Sequence, residues 1–189
     1  MDEKNKTIMN KRKIVTLICI ALASIACAQQ PQINWINFQE ALTRSKKDGK
    51  PVMIDVYTDW CGFCKKMDAQ TFTDADVIAY VNENFHAVKF NAEGNQVITF
   101  QDSTYKNTQY KAGATRNATH PLALKLLNGR AAYPTIVYYS EMYNLIAPVP
   151  GMQTVETIQP YLFYFGEQVF TTTNLWEAFV KGYSAPRFK

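Results

Sequence analysis

The sequence predicts an α/β domain, and three observations carry that expectation. The run Pro51-Val52-Met53-Ile54-Asp55-Val56-Tyr57 is short, almost continuously apolar and rich in strand formers, as a central strand buried on both faces would be. A few residues later, Lys65-Lys66-Met67-Asp68-Ala69-Gln70 has good helix formers and no breaker. Further helix-like and strand-like segments follow on both sides, which is the pattern of a sheet covered by helices. The 189 residues are 47% hydrophobic and 13% aromatic, enough to bury a core, and this excludes a disordered or collagenous chain. No Gly/Ser-rich or Pro-rich stretch divides them, so one compact domain is expected. Asp2, Glu3, Lys4, Lys6, Lys11, Arg12 and Lys13 carry +3 of the formal net charge of +4. The nearly neutral remainder removes the electrostatic case for nucleic acid.

The early cations precede an apolar run from Ile14 to Ala28, followed at once by Gln29-Gln30-Pro31-Gln32. At about 1.5 Å per residue this run is too short to cross a hydrocarbon core of about 30 Å. Its basic start, apolar middle and small-residue end read as an export signal over residues 1–28, leaving a domain from 29 to 189. Ala26-Cys27-Ala28 fits cleavage before Gln29. Ser24-Ile25-Ala26-Cys27 also loosely resembles a bacterial lipoprotein box, which would make Cys27 a lipid anchor.

Next, Asn37 with Glu40 forms a capping box for a helix to about Asp48, stopped by Gly49 and Pro51. After the strand and helix around residues 51–70, Asp74 or Asp76 starts a helix to about Asn84, before a strand from Ala87 to Asn91. Glu93 to Arg116 is polar and longer than ordinary connections. Within it, Val97 to Phe100 and Tyr105 suggest a small hairpin over the active-site end, and solvated decoration is an equal reading. Pro121 to Leu127 reads as a helix ended by Asn128-Gly129. Strands Thr135 to Tyr139 and Leu145 to Val149 follow, then a helix from about Thr157 to Phe165, where Pro160 is tolerable only in the first turn. Asn174 to Lys181 adds a terminal helix.

Of the four cysteines, Cys19 and Cys27 belong to the export signal or its edge, so Cys61 and Cys64 alone remain in a compartment that permits disulfides. A structural zinc site needs four ligands, and His86 and His120 have no ligand spacing, so no metal is expected. A disulfide between residues three apart closes a tiny loop and stabilises little, which points to chemistry instead. The pair lies at a strand-to-helix junction, where a helix N-terminus favours an anion. Cys61 is therefore the natural nucleophile and Cys64, one turn on, the resolving thiol.

These residues resemble the thioredoxin-like disulfide oxidoreductases. Ile54-Asp55-Val56-Tyr57-Thr58-Asp59-Trp60-Cys61-Gly62-Phe63-Cys64-Lys65 is similar to their active-site segment, Val88-Lys89-Phe90-Asn91 to their third strand, and Tyr133-Pro134-Thr135 to their cis-proline segment. Thr71-Phe72-Thr73-Asp74 resembles the variant in the exported domain of DsbD-type reductases. The resemblance implies a thioredoxin fold with a central mixed β-sheet flanked by helices, from which this chain departs by an insertion at about 93–120 and an extra C-terminal helix. It implies Cys61, Cys64, Asp55 and Lys89 as catalytic residues, with Asp55 the buried proton acceptor for Cys64 and Lys89 its neighbour. Trp60, Gly62, Phe63, Tyr133 and Pro134 are the expected substrate-binding residues.

The functional expectation is an exported enzyme of the bacterial periplasm, or one anchored through Cys27. It is a monomer with no cofactor beyond the Cys61-Cys64 disulfide, exchanging with protein disulfides and an upstream thiol donor. Gly62-Phe63 lacks the His that strongly oxidising relatives often carry before the second cysteine, which favours reduction of partners. The rivals are a non-catalytic binding module, or a disulfide oxidase or isomerase.

Overall fold

The computed structural model describes residues 31–172 and 176–183. The expected export signal, Cys19, Cys27 and the start of the terminal helix at Asn174-Leu175 lie outside the described residues. Pro31–Lys189 forms one compact unit.

Within it, β1 (Trp35–Ile36), β2 (Val52–Tyr57), β3 (His86–Asn91), β6 (Thr135–Ser140) and β7 (Leu145–Pro150) form a five-stranded sheet in the order β1-β3-β2-β6-β7. β3 is parallel to both β1 and β2, whereas β6 is antiparallel to β2 and β7 to β6, so the sheet is mixed. A separate hairpin pairs β4 (Val97–Phe100) with β5 (Ser103–Lys106). Hydrogen-bonded on both edges, β2 is the central strand its apolar run predicts.

Side chains alternate across β2, and this alternation sorts the core into two layers. Val52, Ile54 and Val56 pack with α1 (Phe38–Asp48), α4 (Pro121–Leu126) and the hairpin, through Phe38, Ala41, Leu122, Leu126, Ile98 and Phe100. Met53 faces the other way, among Met67 of α2 (Gly62–Gln70), Val77 and Val81 of α3 (Ala75–Asn84), and Ile158 and Leu162 of α5 (Val155–Gly166). Asp55 shares the parity of Met53 and is directed beneath α2.

Local signals start and stop α1 and α3 as expected, except that Glu40 binds the Asn37 side chain instead of the backbone N–H that a capping box uses. Asn37 accepts the Glu40 N–H at 2.8 Å, and Glu40 Oε2 accepts from Asn37 Nδ2 at 3.1 Å. Such caps contribute about 1 kcal/mol. Gly49 ends α1 at φ 77°, a conformation open to glycine. Asp74 caps α3. The terminal helix α6 (Trp176–Gly182) stacks Trp176 on Tyr161 of α5, with ring centroids 4.4 Å apart.

Two expectations are corrected. Pro160 lies inside α5 rather than in its first turn, because the helix starts earlier, at a reciprocal cap between Thr154 and Thr157. The 93–116 segment is solvated only in part: residues 108–116 are exposed, whereas Ile98 and Phe100 are buried, and Phe100 packs edge-on against Phe38 and Tyr139, placing the hairpin on the α1 layer rather than over the cysteines.

Candidate active site

Cys61 is the N-cap residue of α2, and its Sγ accepts the Cys64 N–H at 3.0 Å. The two cysteines are joined by a disulfide. An N–H aimed at Cys61 Sγ from the first turn of a helix is also what favours a thiolate there once the bond is reduced. Both cysteines are buried in the disulfide form, Cys61 with 4% of its surface exposed and Cys64 with 1%, so Cys61 keeps slightly more contact with solvent. The position above Gly62 is open: a Cβ placed there would meet no atom within 4 Å. Phe63 is 64% exposed and Trp60 38%, which forms the expected apolar apron.

Underneath, Asp55 is fully buried, and its register partner on β3 is Lys89. Asp55 Oδ2 lies 2.8 Å from Lys89 Nζ, while Oδ1 has no hydrogen-bond partner among the described residues. Burial drives the Asp55 pKa from 3.8 to about 6 against the opposing pull of Lys89, with the neighbouring Asp68 adding to the rise. Asp68, on α2, is also ion-paired to Lys89, so one ammonium is shared by two carboxylates. Burial works against the charge on Lys89, but the two carboxylates outweigh it and hold its pKa above the ordinary lysine value. Trp35, Tyr57 and Phe72 surround the ammonium with ring centroids 5.4, 5.0 and 5.6 Å away, within cation–π range.

The Tyr133-Pro134 peptide bond is cis. Tyr133 meets Trp60 edge to face at 6.1 Å, so the loop before β6 and the residue before Cys61 form one rim. Trp60 Nε1 donates to Glu93 Oε1 at 3.0 Å, Glu93 Oε2 accepts the Asn117 N–H at 2.8 Å, and Arg116 lies over the indole at 4.0 Å. Of the residues expected at the site, Asp55 pairs with Lys89, Cys61 with Cys64 and Trp60 with Tyr133, while Gly62, Phe63 and Pro134 adjoin these in sequence. Asp68, Glu93 and Arg116 are additions. Asp68 had a usable signal, since it stands one helical turn after Cys64 and so shares its face of α2.

Among the described residues, no group of three or more His, Cys, Asp and Glu is arranged to hold a metal ion. His86 pairs with Asp48 at 3.0 Å. His120 caps α4, its Nδ1 accepting the Leu122 N–H at 3.1 Å, and burial holds its pKa below the ordinary histidine value.

The thioredoxin-like domain family matches residues 38–166, more than half of the chain. The chain belongs to this family. DsbD, the thiol:disulfide interchange protein of Yersinia pestis (strain Pestoides F), is 38% identical over 91 residues, covering 39% of this chain and 15% of that protein. The chain thus matches only a small part of this curated relative. Among solved structures, a thioredoxin-fold protein from Helicobacter pylori superposes with a TM-score of 0.50 at 14% identity, covering 70% of this chain and 78% of that one. That is a likeness of fold. The oxidised C-terminal domain of DsbD from Neisseria meningitidis gives a TM-score of 0.44 at 19% identity, covering 70% and 97%. With its cysteine pair at 61 and 64, this thioredoxin-like domain is a thiol-disulfide oxidoreductase.

Proposed function

We propose that the domain reduces protein disulfides in an exported compartment, with Cys61 as nucleophile. The observation that carries this reading is the placement of Cys61 at the α2 N-cap, its sulfur accepting the Cys64 N–H, on the helix whose Asp68 shares the Lys89 ammonium with buried Asp55. In the reduced protein the Cys61 thiolate attacks one sulfur of a substrate disulfide. A Cys61–substrate bond forms, and the other substrate sulfur leaves as a thiolate and is protonated by water. Asp55 takes the Cys64 proton, and Cys64 then attacks Cys61. This closes the 61–64 disulfide and expels the second substrate thiolate. Two electrons pass to the substrate, and an upstream dithiol restores the pair. A carboxyl with a pKa near 6 suits this task at neutral pH, being largely ionised yet basic enough to accept the proton.

Trp60, Phe63, Tyr133 and Pro134 form the surface on which an extended substrate segment lies, with Gly62 leaving room beside the disulfide. Lys89 holds the ionised form of Asp55 in place. Residues 1–28 serve as the export signal, with the periplasm as the destination and Cys27 as the alternative anchor. The absence of a histidine before Cys64 supports reduction over oxidation. The reduction potential of the 61–64 couple tests the direction. A value near the about −270 mV of thioredoxin is expected, and one near the about −120 mV of a strong oxidant would overturn the assignment.

A further inference from the structure

The reduction chemistry leaves one contact unused, the seat of Arg116 on Trp60. The Arg116 guanidinium carbon lies 4.0 Å from the indole centroid. At that separation the cation is drawn to the ring face, which favours this rotamer before any ligand arrives. Trp60 immediately precedes Cys61 and remains 38% exposed, so the guanidinium stands on the residue next to the cysteine that a substrate must reach. Arg116 is itself exposed and has no ion pair among the described residues.

The carboxylates nearby are already engaged. Glu93 accepts from Trp60 Nε1 at 3.0 Å and from the Asn117 N–H at 2.8 Å. Asp59 accepts from Asn91 Nδ2 at 2.9 Å. The loop bearing Arg116 is fixed from both sides. Asn117 Oδ1 accepts the Lys111 N–H at 2.6 Å, and buried Asn107 donates to Gly94 O at 3.2 Å and Ala118 O at 2.8 Å. The partners of Glu93 and Asp59 are neutral and leave these carboxylates charged, but neither carboxylate ion-pairs Arg116 directly, so an exposed cation held at the ring face remains open to an incoming anion.

We propose that Arg116 is a specificity-determining residue that reads an acidic side chain flanking the reacting cysteine of a protein substrate. This rests on the reductase reading above. The pre-reduced wild-type chain supplies the two electrons in single-turnover reactions with three disulfide peptides. These carry Glu, Gln or Lys beside the reacting cysteine. The readout is the ratio of second-order rate constants for the Glu and Lys peptides, taken within each variant so that any general loss cancels.

At low salt the wild-type ratio is expected to be about fivefold, the size of an exposed charge pair, and to shrink at high ionic strength. Arg116→Ala brings it to about one, Arg116→Lys largely keeps it, and Arg116→Glu inverts it. An unchanged ratio in both Arg116→Ala and Arg116→Glu overturns the proposal. So does an equal slowing of all three peptides by Arg116→Ala that Arg116→Lys fails to restore, which marks a mere prop for Trp60. If the wild type reduces none of the peptides, the reductase reading has failed and the proposal falls with it.

Discussion

Under α2 the domain withdraws the charge of Asp55 from water and compensates it with part-exposed neighbours, and beside the cysteines it presents aromatic and charged groups to water. The lower group is Asp55, Lys89 and Asp68, supplied by two adjacent sheet strands and the helix that carries the cysteines. The outer group is Trp60, Tyr133, Glu93 and Arg116, half of it contributed by the segment between β3 and α4. Strand register and helix period fix the lower group within the common scaffold, so its geometry can change little without disturbing the sheet. The outer group depends on a segment that can vary without moving a strand. Proton handling is thereby separated from substrate choice.

Cys61→Ser tests both groups at once, because neither acts without the nucleophile. Reduction of insulin should fall to the uncatalysed background, and residual turnover would sink the assignment of Cys61. Cys64→Ser should instead accumulate a mixed disulfide through Cys61, visible as an adduct mass.

A large effect on stability is expected from the hairpin of the same segment that supplies Glu93 and Arg116, which packs on the α1 layer of the core. Phe100 is 1% exposed and packs on Phe38 and Tyr139, so Phe100→Ala should cost about 3–5 kcal/mol in denaturant unfolding. A loss under about 1 kcal/mol would show that the insertion is loosely attached after all. For the same reason, selectivity is better probed by single rim residues than by removing the segment, which would strip cover from the α1 layer of the core.

Asp55→Asn addresses the lower group. Turnover at neutral pH should fall by about 10²-fold, the usual contribution of a positioned base, with the loss in the resolving step. Stability should move the other way. Folding raises the Asp55 pKa from 3.8 to about 6, so the folded protein holds that proton more tightly than the unfolded chain. Stability from this group is fully present below 3.8 and lost as the pH rises through about 6. The gap corresponds to about 3 kcal/mol, so Asp55→Asn should stabilise the protein by that order above pH 7 and by little near pH 4. Lys89 keeps Asp68 as its partner in the variant. Equal stability effects at both pH values would mean that Asp55 is not the titrating group.

The two groups also differ in how far the sequence reveals them. Cys61, Cys64 and Asp55 stand within ten residues of one another at a strand-to-helix junction, where composition and spacing carry the signal. Lys89 requires the β2–β3 register, which the two apolar runs suggest without aligning. Glu93 reaches Trp60 across 33 residues, and Arg116 comes from farther along a polar segment with no periodicity. No local pattern encodes such contacts. Pro160 lies deeper in α5 than the sequence suggests for a related reason. The α5 cap uses Thr157 where a capping box usually has Glu or Gln, so the first turn of the helix carries no ordinary start signal.

The smallest expected effect comes from Asp68→Asn, and it tests whether the lower group acts as a unit. Asp68 raises the Asp55 pKa directly through its charge, and it also draws Lys89 away from exclusive pairing with Asp55. Removing its charge relieves the repulsion and leaves the ammonium to Asp55, and both changes favour the Asp55 carboxylate. The acid limb of the pH–rate profile for the resolving step should therefore shift below its wild-type midpoint near pH 6. Partial exposure of Asp68 keeps the shift modest. An alkaline shift would show that Lys89 withdraws from Asp55 once Asp68 is gone. Combining Asp68→Asn with Arg116→Ala completes the comparison. If proton handling and substrate choice are separate, the double variant should show the Asp68 shift in its pH profile and the Arg116 loss in its peptide ratio, each at its single-variant size. A coupling between the two readouts would show that the rim and the buried charges communicate through Trp60 and Cys61.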